Sequence, residues 1–265
     1  MLTCVTHLPS PALQDCELTF VESEPISYEK AVKEHNNYCK MLEECGARIV
    51  TLDDNISLPD SVFVEDPIIV FDELAVLTSM GVKSRRKESA ALEMFFRQYR
   101  DVKQISLPAK IEGGDVLKIG KRIYVGESPR TNNLGFQALC NIIEPLGYEV
   151  TAVSVRGCLH LKTGCTALDE KNILINPDWV DETPFRDYKL IKTLPSEPFG
   201  ANVLPLHNTI CMNAAFPKTI ELVKALGYKV VSTDITQFTK AEAGLTCMSV
   251  PFVHNLPESV AQNAC

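Results

Sequence analysis

The stretch that organises this chain is IEGGDVLKIGKRIYVGE, residues 111–127. Two apolar runs flank a tight turn that contains a glycine, a pattern typical of a β-hairpin. A polar residue, Asp115, stands near the predicted start of the first strand. A helix-like stretch at residues 132–147 and a short apolar run at residues 148–155 follow the hairpin. The order hairpin, helix and strand is therefore the predicted unit of the fold.

The same unit recurs along the chain. Further hairpins are predicted at residues 62–78, 158–176 and 199–214. Helix-like stretches follow at residues 84–100 and 217–227, whereas the helix near residues 177–188 is weakly marked. A fifth unit is predicted to be split between the termini. Its first strand lies in GLTCMSVPFV, residues 244–253, and its remaining strand, helix and strand lie at the beginning of the chain.

One residue occupies the same place in each unit, and these residues lie about 45 positions apart: Asp66, Asp115, His160, Asn202 and Cys247. Buried hairpin faces and outer amphipathic helices predict a mixed α/β ring or propeller, with these five residues meeting on its axis. A doubly wound sheet is the alternative, because strand and helix alternation alone does not exclude it. We expect residues 1–265 to form one domain.

Composition excludes several classes of function. The net charge is −8, with no dense Lys/Arg tract, which argues against a nucleic acid partner. No glycine-rich phosphate-binding motif follows a strand, so a nucleotide cofactor is disfavoured. The sequence predicts neither a membrane span nor a signal peptide, and its ten cysteines contain no CxxC pair. We therefore expect a cytoplasmic protein with reduced thiols and no zinc site.

Cys247 and His160 are the candidates for nucleophilic chemistry. Cys247 follows Gly244 closely and is predicted at the beginning of an inner strand, facing the axial pocket. A buried packing thiol is the alternative, and it is the commoner role for a cysteine considered alone. Equivalent places in the repeat bring Cys247 to His160, as nucleophilic catalysis requires. Either Glu112 or Asp115, in the motif EGGD, could orient the histidine.

An acidic cluster lies in DSVFVEDP, residues 60–67. Strand alternation places Asp60 and Asp66 on one face and Glu65 on the other. Glu65 and Asp66 reach one ligand only if the strand bends, which Pro67 favours. A cationic substrate group would pair with buried acids here, and solvation at a strand end is the alternative.

Arg85 and Arg130 both lie where a hairpin gives way to a helix. Either could bind a carboxylate through its guanidinium fork, although a solvated helix end is the usual role of such residues. Together with the acidic cluster, they indicate a small substrate that carries both a cation and a carboxylate. The long connection at residues 10–27 lacks periodicity and is predicted to be either a flap over the pocket or a plain surface loop.

Six motifs in order, DSVFVEDP, SRRKE, EGGD, GESPRTN, LHLKTG and GLTCMS, resemble the dimethylarginine dimethylaminohydrolase family of guanidino-group-modifying enzymes. The resemblance runs from about Leu18 to the last strand. It implies the five-bladed α/β propeller known as the pentein fold. It also implies hydrolysis of N-methylated arginine to citrulline and dimethylamine or methylamine, without a metal or organic cofactor. Arginine deiminase activity, or an inactive relative that only binds arginine-like ligands, are the alternatives.

The resemblance also implies a role for individual residues. Cys247 would be the nucleophile, His160 the general acid and base, and Glu112 the carboxylate that orients the histidine. The substrate-binding residues would be Leu18, Asp60, Glu65, Asp66, Arg85, Arg130 and the backbone at Ala241. The expected partner is a small molecule rather than a nucleic acid or membrane, with a homodimer as a further expectation.

Two positions depart from the family pattern. The family commonly has Asp-Gly-Gly before the nucleophile strand, whereas this chain has Glu242, Ala243 and Gly244. We expect the longer acid to reach the α-amino group of the substrate. The first strand of the family often carries an arginine where this chain has Thr6.

Overall fold

The computed structural model describes residues 1–254 and arranges their strands as five three-stranded sheets. Cys265, one of the ten cysteines, lies outside the described residues. In every sheet an inner strand pairs antiparallel with the middle strand, and the middle strand pairs parallel with the outer strand. Each sheet is one blade of a five-bladed α/β propeller, as the repeat predicts.

The first four blades follow one another along the chain. The first contains β3 (Ile68–Val70), β4 (Leu74–Leu77) and β5 (Asp101–Gln104), and the second contains β6 (Val116–Ile119), β7 (Arg122–Glu127) and β8 (Glu149–Ser154). The third contains β9 (Cys165–Ala167), β10 (Asn172–Ile175) and β11 (Lys189–Lys192), and the fourth contains β12 (Leu204–Leu206), β13 (Thr209–Asn213) and β14 (Lys229–Thr233).

The fifth blade joins the two ends of the chain. It consists of β15 (Val250–Val253), β1 (Leu2–His7) and β2 (Arg48–Leu52), with β1 in the middle. The register pairs Cys4 with Pro251 across the antiparallel edge. The predicted split of the fifth unit is therefore confirmed, and this pairing closes the ring.

Helices connect the middle and outer strands of four blades: α1 (Tyr28–Glu44), α2 (Ser89–Phe96), α3 (Asn133–Ile143) and α5 (Pro217–Ala225). Two are capped at the N-terminus, since the side chains of Ser27 and Asn132 accept bonds from Lys30 N and Gly135 N. In the third blade only a single 3-10 turn, Thr183–Phe185, occupies this place. Two one-turn helices, α4 (Leu161–Gly164) and α6 (Thr236–Thr239), lie outside the repeat.

The apolar core is divided into five clusters, each of which lies between two neighbouring blades. Val5 and Val50 of the fifth blade pack with Ala75 and Leu77 of the first, and the other four interfaces are built in the same way. This division follows from the period of the sequence, because each hairpin can bury its two faces only against its neighbours in the ring.

The inner strands begin later than the sequence predicted. Residues 60–67 form turns, and the strand begins at Ile68, so the assignment of Asp60, Glu65 and Asp66 to alternating strand faces is wrong. Cys247 likewise lies in a 3-10 turn, Thr246–Met248, before β15. Each inner strand is thus preceded by a tight turn that carries the polar residue. Among residues 1–254, no helix has the length and apolar character needed to cross a membrane.

Candidate active site

The five equivalent residues lie in turns that are joined into a ring around the axis. Every junction between blades has at least one hydrogen bond. Gly113 N donates to Asp66 O (2.9 Å), Leu161 N to Asp115 Oδ1 (2.9 Å), Asn202 Nδ2 to Lys162 O (2.8 Å), Thr246 N to Asn202 Oδ1 (3.2 Å), and Glu65 N to Cys247 O (3.2 Å). The predicted meeting of these residues on the axis is therefore built from bonds that link one blade to the next.

His160 lies between two carboxylates. Its Nε2 is 2.8 Å from Glu112 Oε2, and its Nδ1 is 3.8 Å from Asp66 Oδ1. All three side chains are buried. Burial alone would lower the pKa of His160, but the charges of Asp66, Asp115 and Glu112 outweigh it and raise the pKa to about 9. The ring is therefore cationic at neutral pH, with Nε2 engaged by Glu112 and Nδ1 facing Asp66.

The glycine pair of the EGGD motif is required by this packing. A Cβ atom added to Gly114 would lie 2.5 Å from His160 Nδ1 and 2.8 Å from Asp66 Oδ1. A Cβ atom added to Gly113 would lie 2.0 Å from Glu65 O. The backbone of this turn thus passes directly against the histidine, and Gly114 N donates a 3.1 Å bond to Asp66 Oδ1.

Cys247 is half-buried, and its sulfur accepts a 3.4 Å hydrogen bond from Gly244 N. Burial raises the pKa of the Cys247 thiol, and the charges of Glu65 and Asp66 raise it further. The thiol is therefore protonated in the free protein. A cation placed beside Glu65 and Asp66 would oppose their effect and favour the thiolate.

Glu65 and Asp66 have different partners although they are adjacent. Glu65 Oε1 accepts a 2.6 Å bond from Lys162 Nζ, and Glu65 Oε2 accepts a 2.7 Å bond from Thr246 Oγ1. Asp66 instead accepts from Arg85 Nη1 at 2.8 Å. Burial would raise the pKa of Asp66, but His160 and Arg85 hold it below the usual value.

The two arginines differ in how fully they are paired. Arg85 is buried, and its guanidinium group donates to Asp66, to Glu88 and to the carbonyl of Phe63. Arg130 has fewer partners: its Nη2 donates to Thr19 Oγ1 at 3.0 Å, and its Nη1 is 3.5 Å from Glu112 Oε1. Arg130 Nη1 is buried without a hydrogen-bond acceptor, so it is the donor better placed to receive a carboxylate.

The connection at residues 10–27, called the flap from here on, is fastened to the blades through its backbone. Glu17 N donates to both oxygens of Asp60 at 3.3 Å, which places the half-buried Leu18 directly after this attachment. Burial raises the pKa of Asp60, and Arg85 opposes that increase. Beyond Leu18, the next two amides bond to Glu242, the neighbour of the buried Ala241. Leu18 therefore lies within the flap, between the amide that Asp60 binds and the two amides that Glu242, the neighbour of Ala241, binds.

The two departures from the family pattern have different surroundings. Glu242 directs both carboxylate oxygens at the flap, accepting from Thr19 N at 2.7 Å and from Phe20 N at 3.0 Å. The expected contact with a substrate amino group would have to compete with these two bonds. Thr6 is buried in β1, where its Oγ1 lies 2.9 Å from Thr51 Oγ1.

Asp66, Glu112 and His160 form the one group among residues 1–254 whose ligand atoms lie close enough to hold a metal ion, within 4.8 Å of one another. The surrounding charges oppose such use. Arg85 is bound to Asp66, and Arg130 lies beside Glu112, so two guanidinium groups already compensate these carboxylates. The expectation that the reaction needs no metal stays a prediction.

Several contacts of the site were not anticipated from the sequence. Lys162 pairs with Glu65, and Glu88 binds Arg85 through both carboxylate oxygens. The second pair has a local signal, since Arg85 and Glu88 are three residues apart in SRRKE, a spacing that aligns side chains on one helical face. The first joins residues far apart in sequence and has no such signal.

The family model described as N,N dimethylarginine dimethylhydrolase, eukaryotic, matches residues 15–253. The N(G),N(G)-dimethylarginine dimethylaminohydrolase of Streptomyces coelicolor is 39% identical over 247 residues, covering 91% of this chain and 93% of that protein. The enzyme of the same name from Pseudomonas aeruginosa is 34% identical over 250 residues, covering 94% of this chain and 98% of that protein.

A solved structure of the Pseudomonas aeruginosa enzyme, a mutant complexed with citrulline, is similar throughout. The TM-score is 0.90 at 33% sequence identity, and the match covers 95% of this chain and 100% of the other. The fold and the sequence thus point to the same relatives.

Proposed function

Since this chain belongs to the N,N-dimethylarginine dimethylhydrolase family, we propose that it hydrolyses N-methylated arginine to citrulline and dimethylamine or methylamine. The observation that carries the proposal is the buried arrangement of His160 between Glu112 and Asp66, in a ring of turns that also holds Cys247. A nucleophile, a general acid and carboxylates for a guanidinium group are thereby combined in one site.

The first half of the reaction breaks the bond to the methylated nitrogen. The substrate guanidinium lies beside Asp66, and its positive charge favours loss of the Cys247 thiol proton to solvent, which gives the thiolate that burial and nearby carboxylates otherwise disfavour. The sulfur attacks the guanidinium carbon. His160, cationic in the free site, gives its proton to the departing amine, and a covalent thiouronium remains on Cys247.

The second half consumes one water. His160, now neutral, removes a proton from the water that attacks the thiouronium carbon. The bond from carbon to sulfur breaks, the leaving thiolate takes up the remaining proton of the attacking water to restore the thiol, and citrulline is released. Glu112 accepts the N–H of His160 Nε2 throughout, so it fixes the orientation of the ring while the facing Nδ1 exchanges the proton.

The substrate carboxylate is assigned to the arginine side of the site. Arg130 supplies a buried donor, Nη1, that lacks a hydrogen-bond acceptor. Arg85 is already bound to Asp66, a carboxylate of the same site. Leu18, within the flap, and Ala241, the neighbour of Glu242, would contact the amino-acid end of the substrate through their backbone. Asp60 and Glu65 complete the acidic wall and favour a cationic ligand.

We further propose a cytoplasmic location and a homodimeric assembly. The nine free cysteines among residues 1–254, including Cys45 and Cys211 with sulfurs 3.7 Å apart, support a reducing compartment. Light scattering coupled to gel filtration tests the assembly, and a mass near 29.4 kDa would contradict the dimer.

Separate incubation with asymmetric dimethylarginine, monomethylarginine, arginine and agmatine, followed by assay of citrulline or carbamoyl products, tests the proposed function. We expect the methylated arginines to react fastest. Faster turnover of arginine would identify a deiminase instead, and no turnover of any compound, with binding retained, would identify an inactive binding protein.

Replacement of the nucleophile tests the mechanism, and replacement of a cysteine outside the site is its matched control. Cys247→Ser should abolish turnover while binding stays measurable by calorimetry, because serine is not activated by this site. Cys140→Ser, which changes a buried thiol of α3 outside the site, should retain turnover. Substantial activity in Cys247→Ser would exclude the nucleophile role.

A further inference from the structure

We propose that Glu242 is a positioning residue that holds the flap closed over the pocket and thereby sets the affinity for substrate. The inference rests on the proposed function for its meaning, but its geometry is independent of any reaction. The relevant segment of the flap is residues 17–21, which contains Leu18.

Two consecutive backbone amides of the flap donate to the two oxygens of one carboxylate. Thr19 N reaches Glu242 Oε2 at 2.7 Å, and Phe20 N reaches Glu242 Oε1 at 3.0 Å. Hydrogen bonds to a charged acceptor are among the stronger hydrogen bonds in proteins. Arg130 supports the same turn through Thr19 Oγ1. One side chain, from the segment between α6 and β15, therefore binds the backbone immediately after Leu18.

Packing contributes little to holding this segment. Phe20 is 46% exposed, and residues 22–25 are exposed as well. Val21 contacts a cavity of about 260 Å³ that Glu242 and Gly244 also line, so the flap there lies against a partly empty space. Polar contacts, rather than a hydrophobic interface, must then keep the flap in place.

The backbone conformation of Glu242 indicates that its side chain has a role, because forming a turn alone would favour glycine at this position. Its φ is +61°, a region that L residues rarely adopt and that glycine would occupy without strain. A glutamate there is strained relative to glycine. Its side chain is nevertheless buried and directed at the flap. The backbone strain is therefore compensated by the bonds that this side chain makes.

Length of the acid determines whether both amides are reached. Aspartate, which is one methylene shorter, would place its oxygens about 1.5 Å farther from the flap if the backbone stayed in position. We therefore expect Glu242→Asp to keep at most one of the two bonds. Glu242→Gln keeps one acceptor oxygen but replaces the other with a donor, which cannot accept from an amide.

Hydrogen exchange of the full-length protein tests the contact directly. In Glu242→Gly, the amides of Thr19 and Phe20 should exchange at least about 10-fold faster than in the wild type, because both bonds to the carboxylate are lost. KM for asymmetric dimethylarginine should rise about 10-fold or more, with a smaller change in kcat. Glu242→Gln and Glu242→Asp should be intermediate.

Two comparisons separate this role from a general structural one. The glycine variant relieves the positive φ, which offsets part of the loss of the two bonds, so its Tm should stay close to that of the wild type. Glu22→Gln, which removes an exposed acid from the same flap, should alter neither exchange nor KM. Unchanged exchange at Thr19 and Phe20 in Glu242→Gly would overturn the proposal, as would faster exchange throughout the protein.

The two proposals fail in different ways. If the wild type hydrolyses none of the methylated arginines, the proposed function is lost, whereas the exchange comparison between wild type and Glu242→Gly still decides the role of Glu242. If the wild type is active and Glu242→Gly keeps its KM, only the role of Glu242 is excluded.

Discussion

His160 Nε2 lies 2.8 Å from Glu112 Oε2, and neither side chain is accessible to bulk water. A buried imidazole without a charged neighbour titrates below its usual range, as His35 does, with a pKa lowered by burial to about 4. In His160 the carboxylates reverse that effect of burial and raise the pKa to about 9. The pKa values of the two histidines therefore differ because His160 has acidic partners and His35 does not.

Carbon-13 NMR of labelled histidines should resolve this contrast, since the chain contains only five histidines. We expect His160 to titrate near pH 9 and His35 near pH 4. Glu112→Gln should move the pKa of His160 down toward 6.5, because one of the stabilising charges is lost. A His160 resonance that already titrates at or below 6.5 in the wild type would refute the charged pair.

The same shift has a consequence for stability. Because folding raises the pKa of His160 from 6.5 to about 9, its contribution is fully present below pH 6.5 and is lost as the pH rises through 9. The free energy of unfolding should fall across this window by up to about 3 kcal/mol. Urea unfolding at pH 6 and pH 9 measures the difference, which should shrink in His160→Gln.

Gly114→Ala should inactivate the protein by crowding the histidine. The added Cβ would lie 2.5 Å from His160 Nδ1, so the ring or the turn must move, and the proton-transfer geometry is lost. We expect turnover to fall by at least about 100-fold. Gly120→Asn is the matched control, since nothing lies within 4 Å of its Cβ position and asparagine tolerates its φ of +58°. Equal activity in both variants would contradict the close approach.

Much of the architecture could be predicted from the period of the sequence. The spacing of Asp66, Asp115, His160, Asn202 and Cys247 predicted five units and the split of the last one. The beginning of each inner strand could not be predicted, because apolar residues such as Val62 and Val64 are buried in a turn as completely as they would be in a strand. Burial leaves the same hydrophobic pattern in both conformations.

Partners within the site were harder to predict than its members. The sequence indicated that Arg85 and Glu242 belong to the pocket, but each was expected to contact substrate. In the structure Arg85 binds Asp66 and Glu88, and Glu242 binds the flap. The partner of each side chain depends on which buried charge lies nearest after folding. These contacts join residues up to 223 positions apart in the sequence.

Replacement of Arg85 should mainly lower stability, whereas replacement of Arg130 should mainly weaken substrate binding. Arg85→Ala leaves the buried carboxylates of Asp66 and Glu88 without their cation, so we expect unfolding to become easier by about 3 to 5 kcal/mol. Arg130→Ala should destabilise less and should instead raise KM for methylated arginine. Urea unfolding and steady-state kinetics of both variants measure this. A KM for Arg130→Ala equal to that of the wild type would remove Arg130 from substrate binding.

An analogue that lacks the carboxylate makes this assignment stricter. If Arg130 binds the carboxylate, Arg130→Ala should weaken binding of methylated arginine but leave binding of methylated agmatine nearly unchanged. Calorimetry in the Cys247→Ser background measures both without turnover. Equal losses for the two ligands would show that Arg130 acts through Glu112 or the flap instead.

Asp115 should prove structural rather than catalytic. It is buried and accepts three hydrogen bonds, from Ser128 Oγ at 2.5 Å, Thr131 Oγ1 at 2.7 Å and Leu161 N at 2.9 Å. Asp115→Ala strands all three donors and opens the junction between the second and third blades, so the free energy of unfolding should fall by about 3 to 5 kcal/mol. Asp115→Asn, which keeps one acceptor oxygen, should lose less.

Asp187→Ala is the control, because that exposed carboxylate, 3.5 Å from Arg122 Nη1, should contribute under about 1 kcal/mol. Urea unfolding at one pH compares the three variants, and a loss in Asp115→Ala no larger than that in Asp187→Ala would contradict the structural role.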